Sequence, residues 1–288
     1  MEDNRIISIM TVYYPDESNL ENAEIICRQS DLLIICDNSP TSHENLFSTM
    51  ENIRYFYWGK NLGLSAAFNR VLKNDTLNWQ DNDYILFFDQ DSTIQTNHIK
   101  LLINEYKKLV IQGERVGCIG PVYFNLSSNK EEVPRLKSFV NDKSMRVSSI
   151  ITTSMLCQYK NLKKIGFWNE RVFLDMADWD ICWRFEAENM NVYLTYVSVI
   201  RHSLGQGTKR IGPLQIRVGR PFREYYQTRE CLYLLFKKYA PVKYKIRFIL
   251  MLTARPLLHM LFLDNKLERG KYIGKGILAY FTGRKGSL

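Results

Sequence analysis

The residues in this chain best suited to chemistry are two carboxylates one position apart. Asp89 and Asp91 close the run Tyr84-Ile85-Leu86-Phe87-Phe88. An unbroken stretch of aromatic and β-type side chains reads as a strand buried on both faces, which delivers its terminal acids to the carboxyl edge of a parallel sheet. That edge is where open α/β sheets bind ligands. Two carboxylates so close repel each other unless a divalent cation sits between them and a phosphate, so the stretch reads as a metal and diphosphate site. The competing reading is a strand that ends in a solvated turn. Two further acidic sets have the same character: Asp37 ends the apolar run 32–36, and Asp175, Asp178 and Asp180 lie at the opening of a helix. Each is a weak signal alone, and the three converge only if the sheet is doubly wound.

The elements that must position them follow from periodicity and breakers. Residues 6–14 form a continuous apolar strand stopped by Pro15, with a helix over 19–29. Residues 32–36, a helix near 44–50, a strand at 53–57, a turn at 59–63 and an amphipathic helix at 64–72 lead into the acidic strand. This strand and helix alternation within roughly 90 residues predicts an α/β fold built on a doubly wound, mostly parallel sheet. Beyond it the pattern predicts a helix over 96–112, strands at 116–123 and 148–157, a helix from about 171–180 to 189, and a last strand at 192–199 leading to His202. The polar segment 125–143 reads as a surface loop or flap, a length that in compact domains is often functional.

With 288 residues and 45% hydrophobic content the chain can bury a full core, which excludes a disordered or low-complexity protein. Its six cysteines include no CxxC pair, so neither a zinc site nor a disulfide framework is expected. Met1-Glu2-Asp3-Asn4 runs straight into the first strand, so a cleaved signal peptide is not expected and a cytoplasmic protein is. The net charge of +9 is lopsided: residues 214–288 hold 16 Lys+Arg against 4 Asp+Glu, a balance of +12, and the first 213 residues sum to −3. The composition shift near residue 212 divides the chain into a sheet domain, 1–212, and a basic helical region, 213–288.

Six stretches occur together in order: TVYYP near the start, CDNS at 36–39, NLGLSAAFN at 61–69, FFDQDS at 87–92, FLDMADWDICWR at 173–184 and HSLG at 202–205. In them the chain resembles the family 2 glycosyltransferases of GT-A fold, and among these the bacterial L-rhamnosyltransferases, over about the first 210 residues. The resemblance implies an inverting, metal-dependent transfer of L-rhamnose from dTDP-L-rhamnose. It implies that Asp37 accepts from the imide N–H of the base, where an Asx-type turn cap is the competing role. Asn61 and Gly63 would shape the nucleotide loop, Asn61 competing as a helix N-cap. Asp89 would sit by the ribose or metal, and Asp91 would hold Mg²⁺ or Mn²⁺ against the diphosphate with His202. Gln90, inside DQDS, is the residue most specific to the rhamnose donor. Asp178 would be the catalytic base, taking the acceptor hydroxyl proton. The family's Glu-Asp pair is broken here by Ala177, which leaves the base open among Asp178, Asp175 and Asp180. Acids complementing a helix dipole are the alternative. Tyr226 with Arg229 resembles a family YYxxR pattern, so Arg229, with Arg220 and Arg223, is placed near the donor diphosphate.

The stretch 221–263 alternates bases with large apolar groups, and its most apolar window, 246–263, contains Arg247, Arg255, Pro256 and His259. A spanning helix would find these expensive. Amphipathic helices lying on an anionic membrane surface are expected instead, suited to a lipid-linked glycan acceptor on polyprenyl diphosphate for surface polysaccharide synthesis. Helices packed on the sheet domain with a solvated basic face are the alternative. A UDP-hexose donor, a basic nucleic-acid binder and a non-catalytic scaffold are the rival functions. Nucleic acid is not expected as a partner, because no RNA or DNA module pattern accompanies the charge. The acceptor sugar, the ion and any homo-oligomer are not fixed by the sequence.

Overall fold

The computed structural model describes residues 4–125, 130–133, 138–202, 208–211, 214–217 and 219–288. The chain begins β1 (Ile6–Val12), α1 (Glu17–Cys27), β2 (Leu32–Asp37), α2 (Glu44–Phe47), β3 (Ile53–Tyr57), α3 (Leu64–Leu72), β4 (Tyr84–Asp89) and α4 (His98–Ile111). It continues through β5 (Val116–Asn125), β6 (Lys130–Glu132), β7 (Ser138–Phe139), β8 (Ser144–Val147), β9 (Met155–Gln158), α5 (Tyr159–Lys164), α6 (Ala177–Ala187) and β10 (Asn191–His202). A hairpin, β11 (Thr208–Ile211) and β12 (Leu214–Arg217), precedes α7 (Arg223–Leu235), α8 (Val242–Leu252), α9 (Ala254–Phe262) and α10 (Lys266–Phe281).

One mixed sheet runs β3-β2-β1-β4-β9-β5-β10-β8-β7. Its first four strands are parallel, as the alternation predicts, and β5 pairs β10 in parallel. The antiparallel β9 stands between these two parallel groups. The apolar runs become central strands because neither face meets water: Ile34, Ile35, Phe87 and Phe88 are fully buried. Two hydrophobic clusters cover the two faces. One, around Phe68, Phe87, Trp168 and Trp183, also takes Leu234 of α7 and Phe248 of α8. The basic C-terminal region thus completes the same core, with Phe248 facing the rings of Trp179 and Trp183.

Three local expectations shift. The strand expected at 148–157 begins only at Met155, because Ser154 adopts φ 63, a left-handed conformation that turns the preceding residues out of the sheet. The helix expected to open within 171–180 starts at Ala177, so Asp175 lies before it. The segment 125–143 carries two short edge strands where a loop was expected.

Candidate active site

Register alone gathers the first acids. On β1, Val12 pairs with Asp37 of β2 and Thr11 pairs with Asp89 of β4. The two carboxylates therefore flank one strand end, two strand spacings or about 10 Å apart. Beyond Asp89 the chain turns sharply, with Ser92 Oγ accepting from the Asp89 N–H at 3.0 Å and the Ser92 N–H donating to the Asp89 carbonyl at 3.1 Å. Gln90 ties this turn to the opposite loop: its Oε1 accepts from the Tyr13 N–H at 2.5 Å, and its carbonyl accepts from the amides of Asn19 and Asn22, each at 3.1 Å. Asp91 is left exposed at the rim and Asp89 half-buried behind it.

Asp37 is held differently. Its side chain has no solvent exposure. Its oxygens accept from the Ser39 N–H at 2.8 Å, the His43 N–H and Nδ1 at 3.1 Å each, and the Tyr55 hydroxyl. Burial pushes the carboxyl up, but the bonds from Ser39, Tyr55 and His43 outweigh it and hold the pKa below the usual range. The Ser39 bond is an Asx-type turn, so Asp37 orders the 37–43 loop. Both of its oxygens are engaged by these internal donors.

Asn61 and Gly63 prepare the start of α3. Asn61 Oδ1 accepts from the Gly63 N–H at 2.8 Å. Gly63 has φ 78, and a Cβ there would lie 2.5 Å from the Phe173 ring, so both backbone and space demand glycine. The close approach is to Phe173, part of the segment that carries the other acids. Ser65 and Asn69 of α3 bind that same segment, at the Val172 and Trp168 carbonyls, with distances of 2.9 and 2.8 Å.

That segment brings Asp178 to the cleft. The left-handed turn at Ser154 lets Thr153 Oγ1 donate to Asp89 Oδ2 at 2.7 Å while Thr152 Oγ1 donates to Asp178 Oδ1. The two threonines therefore link the donor-side acid to the helix acid. Burial pushes Asp178 up to about 7, the Thr152 bond opposes this, and the charges of Asp89 and Asp175 add to it. A carboxyl poised near neutrality is the state a general base needs.

The other two candidates are engaged elsewhere. Asp180, 1% exposed, accepts from Arg184 Nε at 2.9 Å, Asn169 Nδ2 at 3.0 Å and the Tyr239 hydroxyl at 2.5 Å. Its saturated carboxylate locks α6 to its surroundings. Asp175 takes Arg223 Nη2 of α7 at 2.7 Å, and its Oδ2 has no hydrogen-bond partner. Glu230, fully buried on α7, accepts from the Phe173 N–H at 2.9 Å and is pushed up to about 8, first by burial and then by Asp175. Phe173 itself stacks on Tyr226 at 4.7 Å. Thr152, Thr153 and Glu230 carry no sequence signature: two sit in what reads as a strand, one in what reads as an amphipathic helix. The one available cue was that 148–154 alternates poorly for a buried strand.

Arg229 is 3% exposed, with Nη1 donating to the Gly286 carbonyl at 2.9 Å, and it faces the C-terminal helices. His202 ends β10 and its side chain lies outside the described residues. Among the described residues no group of three or more His, Cys, Asp or Glu is arranged to hold a metal ion. The exposed Asp91 with Asp89 behind it suits a hard divalent cation all the same. Such an ion at a phosphate site takes one or two carboxylates and fills its shell with water and phosphate oxygens.

Residues 9–165, more than half of the chain, match the family model described as glycosyl transferase family 2. The chain is 25% identical to the dTDP-rhamnosyl transferase RfbF of Shigella flexneri over 297 aligned positions, covering 99% of this chain and 97% of that protein. Among solved structures it resembles TarS 1-349 of S. aureus in complex with UDP-GlcNAc, with TM-score 0.57, 13% identity, and coverage of 96% of this chain and 81% of that one. It also resembles the mannosyltransferase PcManGT of Pyrobaculum calidifontis in complex with GDP-Man and Mn²⁺, with TM-score 0.57, 12% identity, and coverage of 99% and 76%. On this match, over a sheet whose strand ends carry Asp37 and Asp89, the chain belongs to glycosyl transferase family 2 and is a nucleotide-sugar glycosyltransferase.

Proposed function

We propose that the enzyme transfers L-rhamnose from dTDP-L-rhamnose, with inversion, onto a lipid-linked glycan at an anionic membrane surface. The observation that carries the mechanism is Asp178: desolvated, hydrogen-bonded by Thr152, and linked through Thr153 to Asp89. Asp178 takes the proton of the acceptor hydroxyl as that oxygen forms its bond to the anomeric carbon. The bond from that carbon to the diphosphate oxygen breaks, and the electron pair leaves with dTDP. Attack from the face opposite the leaving group inverts the centre. Asp91 and Asp89 would hold Mg²⁺ or Mn²⁺, which when bound neutralises charge on the departing diphosphate. Asp175 is paired with Arg223, and the Gln90 side chain ties the turn between Asp89 and Asp91 to Tyr13.

The donor assignment rests on full-length similarity to a dTDP-rhamnosyl transferase and on the Gln between the two acids. A UDP-hexose donor is the second reading, favoured by the likeness to TarS, which is seen with UDP-GlcNAc. Incubating the enzyme with a panel of nucleotide sugars and measuring nucleoside diphosphate release separates them. Turnover of dTDP-L-rhamnose supports the first reading, and turnover of UDP-sugars alone removes it.

The membrane reading is supported by α8–α10, where Ile246, Leu250, Leu257, Leu261 and Leu267 are 58%, 57%, 64%, 64% and 82% exposed among lysines and arginines. Among the described residues no helix is long and apolar enough to cross a bilayer, which suits lying on it.

A further inference from the structure

Away from the acids of the cleft, a recess of about 500 Å³ opens between the end of α3, the 166–171 turn and the C-terminal end of α7. Its wall carries five bases, Lys73, Arg171, Arg184, Lys237 and Lys285, against one acid, Glu170. Two of the bases are accounted for: Arg184 holds Asp180, and Lys73 lies 4.0 Å from Glu170. Arg171, Lys237 and Lys285 have no acidic partner among the described residues. Two of these cations also converge on one ring, with the Lys237 ammonium 4.1 Å and the Arg171 guanidinium 5.6 Å from the centre of Tyr233. Bases that share one wall without acids beside them favour an anion among them.

A second, smaller recess shares Arg171, Tyr233 and Lys285 with the first and is lined by Arg229. Arg229 is 3% exposed, and its Nε and Nη2 have no hydrogen-bond partner. Unused donors on a buried guanidinium are costly, and a ligand oxygen would satisfy them. The nearest acid to Arg229, Glu230 at 3.6 Å, is pushed up by burial and offers little neutralisation. The rim beside these bases is apolar: Phe236, next to Lys237, is 68% exposed and stacks on Tyr280 at 6.4 Å, and Phe281 is 77% exposed.

We propose that this recess is a second anion site, separate from the donor site, which takes a phosphate- or diphosphate-bearing ligand held by Arg171, Lys237 and Lys285. The phosphate group is supplied either free in solution or by an amphiphile whose chain lies on the Phe236–Tyr280–Phe281 rim.

Calorimetric titration of the full chain tests this, with inorganic pyrophosphate and dihexanoyl phosphatidic acid as probes, in EDTA at physiological salt. Pyrophosphate is expected to bind saturably without metal, and equally to Asp91→Ala, which disables the metal-dependent donor edge. The Arg171→Gln/Lys237→Gln double variant should bind at least about tenfold more weakly with an unchanged melting temperature, since two charge-assisted contacts are lost. Lys245→Gln/Lys271→Gln, which removes two bases elsewhere, should bind as the wild type does. If the short-chain lipid binds more tightly than pyrophosphate, the site serves an amphiphile; equal or weaker binding assigns it to a free phosphate. No metal-independent binding, loss of binding in Asp91→Ala, or equal weakening in the two double variants would overturn the proposal.

Discussion

The sheet edge and the segment leading into α6 both contribute acids joined by Thr152 and Thr153, and they are built by different means. At the edge, Asp37 and Asp89 reach their places through strand register, one on each side of β1. In the segment before α6, position says little. Asp178 and Asp180 are two residues apart on one helix, yet Asp178 faces Thr152 and the cleft while Asp180 is closed off by Arg184, Asn169 and Tyr239. Partners recruited from distant parts of the chain, rather than the residue type, decide which carboxylate is left with a single side-chain donor and which one is saturated and holds the helix.

Asp178→Asn tests this contrast with the largest expected effect. Turnover should fall by about 10²–10⁴-fold, the usual contribution of a positioned base, with the melting temperature preserved. Next comes Asp91→Ala at the edge, expected to reduce turnover by about 10²-fold or more and to remove the response of rate to added Mn²⁺. A fully active Asp91→Ala would detach the edge from the reaction.

Asp180→Asn should behave in the opposite way. Removing one member of a buried pair leaves Arg184 uncompensated, so stability should drop by about 3 kcal/mol, read as a lower denaturant midpoint, while turnover per folded molecule changes little. Equal loss of turnover in Asp178→Asn and Asp180→Asn would erase the distinction. Glu230→Gln should leave turnover least affected and is read in the pH dependence of stability. A carboxyl whose folded pKa is raised to about 8 loses stability as pH rises from its ordinary value near 4.5 to about 8, so the Gln variant should gain on the wild type across that window. A stability difference independent of pH would show that Glu230 stays ionised in the fold.

This contrast also explains what the sequence made legible. Strands 6–12, 32–37, 53–57 and 84–89 were readable because continuous apolar runs ending at acids or turns have few other folded forms. The same register made Asp89 and Asp91 readable as an edge. Asp37 was legible as a strand end, whereas its partners were not, since the Tyr55 hydroxyl and His43 become its neighbours only once β2 and β3 pair. The threonines at 152 and 153 were hidden inside an expected strand, and only the positive φ of Ser154 turns them toward the acids. Glycine at 63 was expected to admit a ligand, whereas the contact that requires it is the Phe173 ring. The contact of Arg229 with the Gly286 carbonyl was likewise not readable, because it forms only when α7 turns that face toward α10.

The base assignment is tested most directly by the pH dependence of kcat/KM for transfer from dTDP-L-rhamnose, measured for the wild type and for Asp178→Asn. Asp178 acts deprotonated, so the wild-type rate should rise with pH to a plateau. The apparent pKa should be at or below about 7, since a divalent cation at Asp89 and Asp91 would draw it down from the raised value. The residual activity of Asp178→Asn should be flat across that range. A variant that keeps the same rising limb, or the wild-type rate, would contradict the account.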